Sequence, residues 1–402
     1  MGPLDGTRVI ELAHIMAGPV CGLMLADFGA DVIKVEKIPG GDDTRRFLPP
    51  SIDDVSAAFL VVNRNKKGIA LNLKTGGGRE VLSRLIDRAD VVIENFRRGT
   101  MERLGFGYDT LKVNNPALIY CAVSGFGRTG PYADRGGFDL IAQGISGLMS
   151  ITGEEPGRPP VKVGAPVTDI TAGILAALGI TAAYVRRLKT GEGAFVDTSL
   201  LEAGVTHTLW QSAICFATGA SSPALGSSHP LIAPYQAFPT ADGWINVGAA
   251  NQTNWLRLLD VIGAKYLANE ADFASNEDRM AHLDRLIDTL SPFFKEKCSA
   301  IWLTRMEAAG IPAGPVLDIV QMQSNPQVLA RNMMIDVDHP HGGQTKAIGP
   351  PIKLSNTDAP SERGAPRYGQ HTREILLEHD FNEAAIRSLV AEGAVAIDVA
   401  GD

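Results

Sequence analysis

Arg8-Val-Ile-Glu-Leu12 and Asp31-Val-Ile-Lys-Val-Glu36 are β-prone runs with one apolar-periodic stretch between them, and this spacing constrains the fold more than any other feature. Pro19, after Gly18, suits the first turn of a helix, and Gly29 suits its carboxyl-terminal cap. The result is a βαβ unit. The alternation continues with a strand at Lys67–Leu73, a helix at Gly77–Arg88, and strands at Asp90–Glu94 and Ala117–Val123. Phe138–Ile151 reads as helical, a long apolar helix follows Asp169 to about Arg187, Ala194–Thr198 is a further strand, and Leu200–Thr218 a further helix. Strands alternating with helices imply an α/β fold with a mostly parallel, doubly wound, Rossmann-like sheet. Such sheets bind ligands beyond the carboxyl ends of their strands, so the loops after Leu12, Glu36, Glu94 and Val123 are the places to search.

The texture changes at Gly219. Gly219–Pro234 is rich in Gly, Ser, Ala and Pro, and Tyr235–Val247 reads as a hairpin turning at Asp242-Gly243. Helical patterns follow at Gln252–Gly263, Arg279–Leu290 and Ser299–Gly310; His339–Pro366 is again Pro/Gly-rich, ahead of short helices at Thr372–Leu377 and Asn382–Val390. These boundaries predict a large domain from residues 1–200 and about 370–402, a linker helix and loop at 201–225, a smaller α+β domain at 226–325, and a return linker at 326–369.

Over 402 residues the net charge is −8, which argues against nucleic-acid binding. Yet Leu60–Gly105 carries ten Lys/Arg against five acids. That segment is either a solvated face or a site for a small polyanion. The four cysteines are scattered, with no metal-type spacing, as expected of a reducing compartment. The amino terminus lacks a signal-peptide pattern, and the apolar run at Ile170–Val185 is short for a membrane span. The expectation is a cytoplasmic protein with no membrane, nucleic-acid or metal partner.

Glu36, ending the second strand, stands where a ribose-binding carboxylate would. However, the loop Ala13-His-Ile-Met-Ala-Gly-Pro-Val-Cys-Gly22 lacks the G-x-G-x-x-G that admits a dinucleotide pyrophosphate. Walker A, H-E-x-x-H and G-x-S-x-G patterns are also absent. What is present is a set of segments: Gly6-Thr-Arg-Val-Ile-Glu-Leu12, Ala17-Gly-Pro19, Leu25-Ala-Asp-Phe-Gly-Ala-Asp-Val-Ile-Lys-Val-Glu36, Asn63-Arg-Asn-Lys-Lys67, Leu71-Asn-Leu-Lys74, Glu94-Asn-Phe-Arg-Arg-Gly99, Ser124-Gly-Phe-Gly127 and Val167-Thr-Asp169. Together they make the chain resemble the class III CoA-transferases of the formyl-CoA transferase and carnitine CoA-transferase type, over nearly its whole length.

That resemblance implies CoA exchange between an acyl-CoA donor and a free carboxylic acid, with CoA as substrate and no permanently bound cofactor. It places CoA at Met16, Ala17, Lys37, Leu71, Asn72, Lys74, Asn95, Phe96, Arg97, Arg103, Gly136, Phe138 and Asp139. Cations there suit the 3′-phosphate and diphosphate of CoA. Asp169 falls on the family's nucleophile. By its own context it reads as a helix N-cap, with the helix dipole holding it ionised. In the implied mechanism Asp169 attacks the thioester, and a mixed anhydride and then an aspartyl-CoA thioester follow. Backbone amides of Gly136-Gly137 or Gly248-Ala-Ala-Asn-Gln252 are candidate oxyanion donors. The formyl-CoA transferase has Gln where this chain has Met16, and its glycine loop is missing here. A dicarboxylate acceptor with succinyl-CoA as donor is the expected pairing; Arg45, Arg46, His14, His229, Tyr235 and Gln252 are candidate contacts. The family also implies an open-ring chain that interlocks with a second copy as a homodimer.

Two other readings stay open. The racemase branch moves a proton α to the thioester with a His directly before an Asp; here that segment is Gly137-Phe138-Asp139, and Phe138 moves no proton. A CoA-binding protein without catalysis is the other.

Overall fold

Six strands of one sheet follow the expected alternation: β1 (Arg8–Glu11), β2 (Asp31–Lys37), β3 (Lys67–Leu71), β4 (Val91–Glu94), β5 (Ile119–Ser124) and β6 (Ala194–Ser199). The computed structural model describes residues 2–357 and 363–398; the parts of the expected return linker at 358–362 and of the large domain at 399–402 lie outside them. The helices between are α1 (Ala17–Asp27), α2 (Ala57–Asn63), α3 (Gly76–Asp87), α4 (Thr100–Leu104), α5 (Tyr108–Asn114), α6 (Asp139–Ile145) and α7 (Val167–Thr190). Leu200–Thr218 is not one helix: α8 (Leu200–Thr206) and α9 (Leu209–Thr218) are separated at His207-Thr208.

Contacts divide the chain into two units, one of residues 1–148, 162–209 and 326–402, the other of 149–161 and 210–325. In the first, β1–β6 pair in parallel in the order β3-β2-β1-β4-β5-β6. Successive side chains of a strand point to opposite faces, and both faces here are covered. Ile10, Ile33, Ile69 and Val92 pack under α3 and the carboxyl-terminal helices Thr372–Glu378 and Glu383–Ala391. Val9, Val32, Val91, Ile93 and Cys121 pack under α1 and α7. This unit is therefore a doubly wound α/β layer.

Small residues set how closely α1 and α7 approach. A Cβ at Gly173 would come 2.6 Å from the Ala17 carbonyl oxygen and 2.7 Å from Val20 Cβ. Ala172, Ala176 and Ala177 are buried beside it. The stretch is long and apolar enough for a membrane span by composition, but in this fold its buried face belongs to the sheet's core.

In the second unit β7 (Tyr235–Pro239), β8 (Trp244–Gly248) and β9 (Ala313–Pro315) form an antiparallel sheet. Its core contains Trp255, Trp302, Phe238 and Phe294, with the two Phe rings stacked at 4.6 Å. Buried Arg279 donates to the carbonyls of Ala233 (2.8 Å) and Phe273 (2.9 Å) and lies 4.9 Å over the Trp255 ring. The expected return linker holds a hairpin of its own, β10 (Met334–Asp338) with β11 (Gln344–Ile348). Its turn coincides with the Pro/Gly-rich stretch, and that composition masks the strand pattern. Finally β12 (Val395–Ala396) joins β3 in antiparallel at the sheet's edge.

Candidate active site

The loop after β1 forms the first wall of a cavity at the carboxyl ends of the strands. Ile15 sits in the left-handed region (φ 68°), which a β-branched residue enters only under constraint. The constraint is visible. Asp42, fully buried, accepts from the Ile15 N–H at 3.2 Å, from the Thr44 N–H at 2.9 Å and from the Thr44 hydroxyl at 2.8 Å. Lys34 Nζ bridges Asp42 (2.8 Å) and Glu11 (3.1 Å) and donates to the Ala13 carbonyl (2.9 Å). Glu11 also pairs with Lys66 at 2.8 Å. On the other side Asn95 clasps His14, accepting its N–H (2.9 Å) and donating to its carbonyl (2.7 Å). Four buried charges thus hold the loop from beneath.

His14 itself faces the cavity, 5.6 Å from the Phe96 ring. Burial, reinforced by Lys34, lowers its pKa to about 4, so near neutral pH it is an uncharged imidazole. The second wall is the segment after β4. Glu94 accepts the Phe96 N–H at 2.8 Å and pairs with Arg128. Burial pushes Glu94 up to about 7, against the pull of Arg128. The third wall follows β5. A Cβ on Gly125 would lie 2.6 Å from Gly137 Cα, so two backbone straps touch there without side chains between them.

Into this space, of about 410 Å³, projects Asp169. It is the third residue of α7, not its cap; the cap position is Pro166, with no side-chain bond. The dipole does not hold it at low pKa either. Burial first, and the neighbouring Asp139 carboxylate second, raise Asp169 to about 6. The desolvation exceeds what one helix terminus offsets.

Nine of the expected site residues line this cavity: Met16, Ala17, Lys37, Asn95, Phe96, Arg97, Gly136, Phe138 and Asp169. Leu71, Asn72, Lys74, Arg103 and Asp139 do not. Leu71 is core, with its carbonyl accepting the N–H of Ile38 beside Lys37, and Asn72 donates to the Gly393 carbonyl, while Lys74 is exposed. Arg103 donates to Thr100, and Asp139 bonds Thr168 and Gln143. The basic segment resolves into two sets. Arg64, Lys66, Lys67, Arg84 and Arg88 are spent on ion pairs within the fold. Arg97 has no ion-pair partner among the described residues and lies against Gly136. Of the acceptor candidates, Arg45 is committed to Glu36 in a two-pronged pair and Arg46 to Asp43, leaving His14 in the cavity. His229, Tyr235 and Gln252 belong to the second unit, where the His229 and Tyr235 rings lie 5.3 Å apart and Gln252 donates to the Ala274 carbonyl. Sequence reasoning missed Arg128 and Asp42. Arg128 follows directly on Ser124-Gly-Phe-Gly127, a signal that could have found it; Asp42 carried none.

A larger cavity of about 580 Å³ opens near Phe28, Asp31 and Lys353. It lies at the amino-terminal end of β2, the wrong end for ligands of a parallel sheet.

CoA-transferase family III matches residues 4–372. The chain belongs to this family. As a family III CoA-transferase it is an enzyme that moves CoA between an acyl-CoA and an acid. It is 41% identical to a succinate–glutarate CoA-transferase of Agrobacterium fabrum, covering 94% of this chain and 95% of that one. It is 40% identical to an acetyl-CoA:oxalate CoA-transferase of Acetobacter aceti (95% and 97% covered). The crystal structure of a CAIB/BAIF family protein from Brucella suis superposes with a TM-score of 0.85 at 38% identity, covering 94% of this chain and all of that one.

Proposed function

We propose that this CoA-transferase moves CoA from succinyl-CoA to a second dicarboxylic acid, with Asp169 as nucleophile. The observation that carries the nucleophile is Asp169 projecting into a strand-end cavity that is also lined by Arg97, a cation with no ion-pair partner among the described residues. The Asp169 carboxylate attacks the thioester carbonyl. A C–O bond forms, the C–S bond breaks, and CoA leaves as thiolate. The thiolate then attacks the aspartyl carbonyl of the anhydride, releasing the donor acid as carboxylate and leaving an aspartyl-CoA thioester. The acceptor carboxylate runs the two steps in reverse. An ionised carboxylate needs no neighbouring base.

CoA's nucleotide end is proposed to run from Arg97 along the strand ends toward Lys37, Asn72, Lys74 and Arg103. Amides at Gly136-Gly137 are the proposed oxyanion donors, since both residues line the cavity. The dicarboxylate class is supported by relatives named for oxalate, glutarate, mesaconate and D-citramalate. Phe138, 71% exposed on the cavity, offers no proton relay and disfavours the racemase reading.

An interlocked homodimer is part of the same proposal. Ile174, Leu178, Val185 and Leu188 leave an apolar stripe of α7 exposed, as a face covered by a second copy would be. Light scattering at micromolar concentration should give a dimer; a monomer sinks that part.

The test of the chemistry is mass spectrometry after mixing with succinyl-CoA and trapping with hydroxylamine, for the wild type and Asp169→Ala. An adduct on Asp169, absent in the variant, is expected. No adduct, together with α-proton exchange into deuterated solvent, would refute the aspartyl route. A panel of C2–C6 mono- and dicarboxylates tests the acceptor class, and turnover confined to monocarboxylates would refute it.

A further inference from the structure

Asp139 is the first residue of α6, and its carboxylate has three donors. Oδ1 accepts from the Thr168 N–H at 2.9 Å and from the Thr168 hydroxyl at 2.8 Å. Oδ2 accepts from the Gln143 side-chain amide at 2.8 Å. Gln143 is fully buried, and its own oxygen accepts the Val163 N–H at 2.9 Å. Thr168 is fully buried too and directly precedes Asp169. The chain of contacts therefore runs Val163–Gln143–Asp139–Thr168 and ends one residue from the nucleophile. It fixes the first turn of α7 at the end where no cap does so.

We infer that Asp139 is the positioning residue of this site: it holds Asp169 through Thr168 and sets a fixed negative charge beside it. The inference rests on the reading of Asp169 as nucleophile. It gives Asp139 a role other than contact with CoA, since its oxygens are already engaged and it does not line the cavity.

The charge has a chemical use. Asp169 alternates between an anion and a neutral acyl form during transfer. A like charge close by disfavours the anion relative to both acylated forms, so the resting carboxylate is the more reactive. Other titratable groups face the same cavity from every side: His14 after β1, Lys37 at the end of β2 and Asp43 after it, Arg97 and Arg98 after β4, Arg128 and Arg135 after β5. Besides burial, the Asp139 charge is what raises the Asp169 carboxyl.

The test uses the full-length protein and three variants, Asp139→Asn, Asp139→Ala and Thr168→Val. Two measurements are made. One is the pH–rate profile with kcat and KM for the acyl-CoA. The other is carbodiimide labelling of Asp169 against pH, read by peptide mass spectrometry, which needs no activity. Asp139→Asn keeps the shape and the Thr168 bonds but loses the charge and, since its amide nitrogen cannot accept, the bond from Gln143. Its labelling midpoint and the acid limb of its rate profile should both move to lower pH. Asp139→Ala loses the tether as well, and kcat should fall about 100-fold with the KM for acyl-CoA changed little. Thr168→Val, which removes one donor and no charge, should lose about tenfold in kcat. Should Asp139→Ala not fold, the other two carry the test.

An unmoved labelling midpoint in Asp139→Asn overturns the proposal. So does a tenfold rise in KM with kcat intact in Asp139→Ala, which would make Asp139 a CoA contact. A labelling midpoint that moves while the rate profile stays put sustains Asp139's hold on Asp169 and overturns the nucleophile reading instead.

Discussion

Asp42→Ala tests the buried charges beneath the active-site loop. The substitution removes Lys34's partner at 2.8 Å, and both side chains are fully buried. Glu11 remains, but it is shared between Lys34 and Lys66, so two ammonium groups are left with one carboxylate. Removing one partner of a buried pair costs about 3–5 kcal/mol. The Thr44 and Ile15 amides each lose an acceptor as well, at about 1 kcal/mol apiece. Release of Ile15 from the left-handed region returns about 1–2 kcal/mol. The net expectation is a loss of about 3–6 kcal/mol at neutral pH.

The loss should depend on pH in a defined direction. Burial, outweighing Glu11, lowers Lys66 to about 8, and Asp42 is among the groups supporting its charge. Without Asp42 the Lys66 pKa falls below 8, so the variant sheds the surplus proton at lower pH than the wild type does and has lost it by pH 9. The penalty is therefore largest near pH 6.5 and smaller near pH 9. Guanidinium unfolding can separate the units. Trp210, Trp244, Trp255 and Trp302, the protein's four tryptophans, all lie in the second unit. Fluorescence reports that unit, whereas far-UV circular dichroism reports both. A double-mutant cycle with Lys34→Met isolates the pair, and the double variant should lose less than the sum of the two. A loss below about 1 kcal/mol, equal penalties at the two pH values, or strict additivity would refute this account of the cluster.

Asp169→Asn should abolish transfer yet stabilise the protein. The folded state holds the Asp169 proton more tightly, at about 6 against an ordinary 3.8, so its favourable contribution exists at acid pH and is lost between those values. At pH 7.5 the ionised group then costs about 1–3 kcal/mol after allowance for the open cavity, and thermal melts of the variant should show that gain. For the wild type, kcat/KM should fall as pH drops through about 6, and a profile flat to pH 4.5 would exclude Asp169 as an ionised nucleophile. Gly137→Ala places a methyl group 2.5 Å from Gly125 Cα, forcing apart two straps of the cavity. Activity should drop about 10- to 100-fold while circular dichroism stays native.

The strands were legible because each carries apolar residues on both faces of a covered sheet, as in Asp31–Lys37. The long helix after Pro166 was legible for the same reason, in Ala172, Ala176 and Ile180. The position of Asp169 was readable, but its environment was not. Its raised pKa comes from burial and from Asp139, thirty residues away, which only the packing of α6 on α7 brings near. The cations of the Leu60–Gly105 segment misled for a related reason. Arg64 and Lys66 look like surface charge, yet their partners Asp27 and Glu11 lie on earlier elements, and pairing across elements leaves no local pattern. The Met334–Ile348 hairpin was hidden because its turn, His339–Gly343, has the composition of a linker.

The last strand has a consequence for how the polypeptide is made. Val395 pairs with Leu71, and Ile375, Leu376, Phe381, Ile386 and Leu389 complete the core under the same face of the sheet. At ~5–20 residues per second, synthesis needs roughly 15–65 s to bring Val395 out after Leu71. Throughout that interval Ile69, Leu82 and Leu85 have no cover from those helices. The second unit, nearly all of it one continuous run, is complete some 70 residues earlier. On the ribosome the second unit can fold before the first is complete, and the active-site unit keeps an open sheet edge until Val395 has emerged.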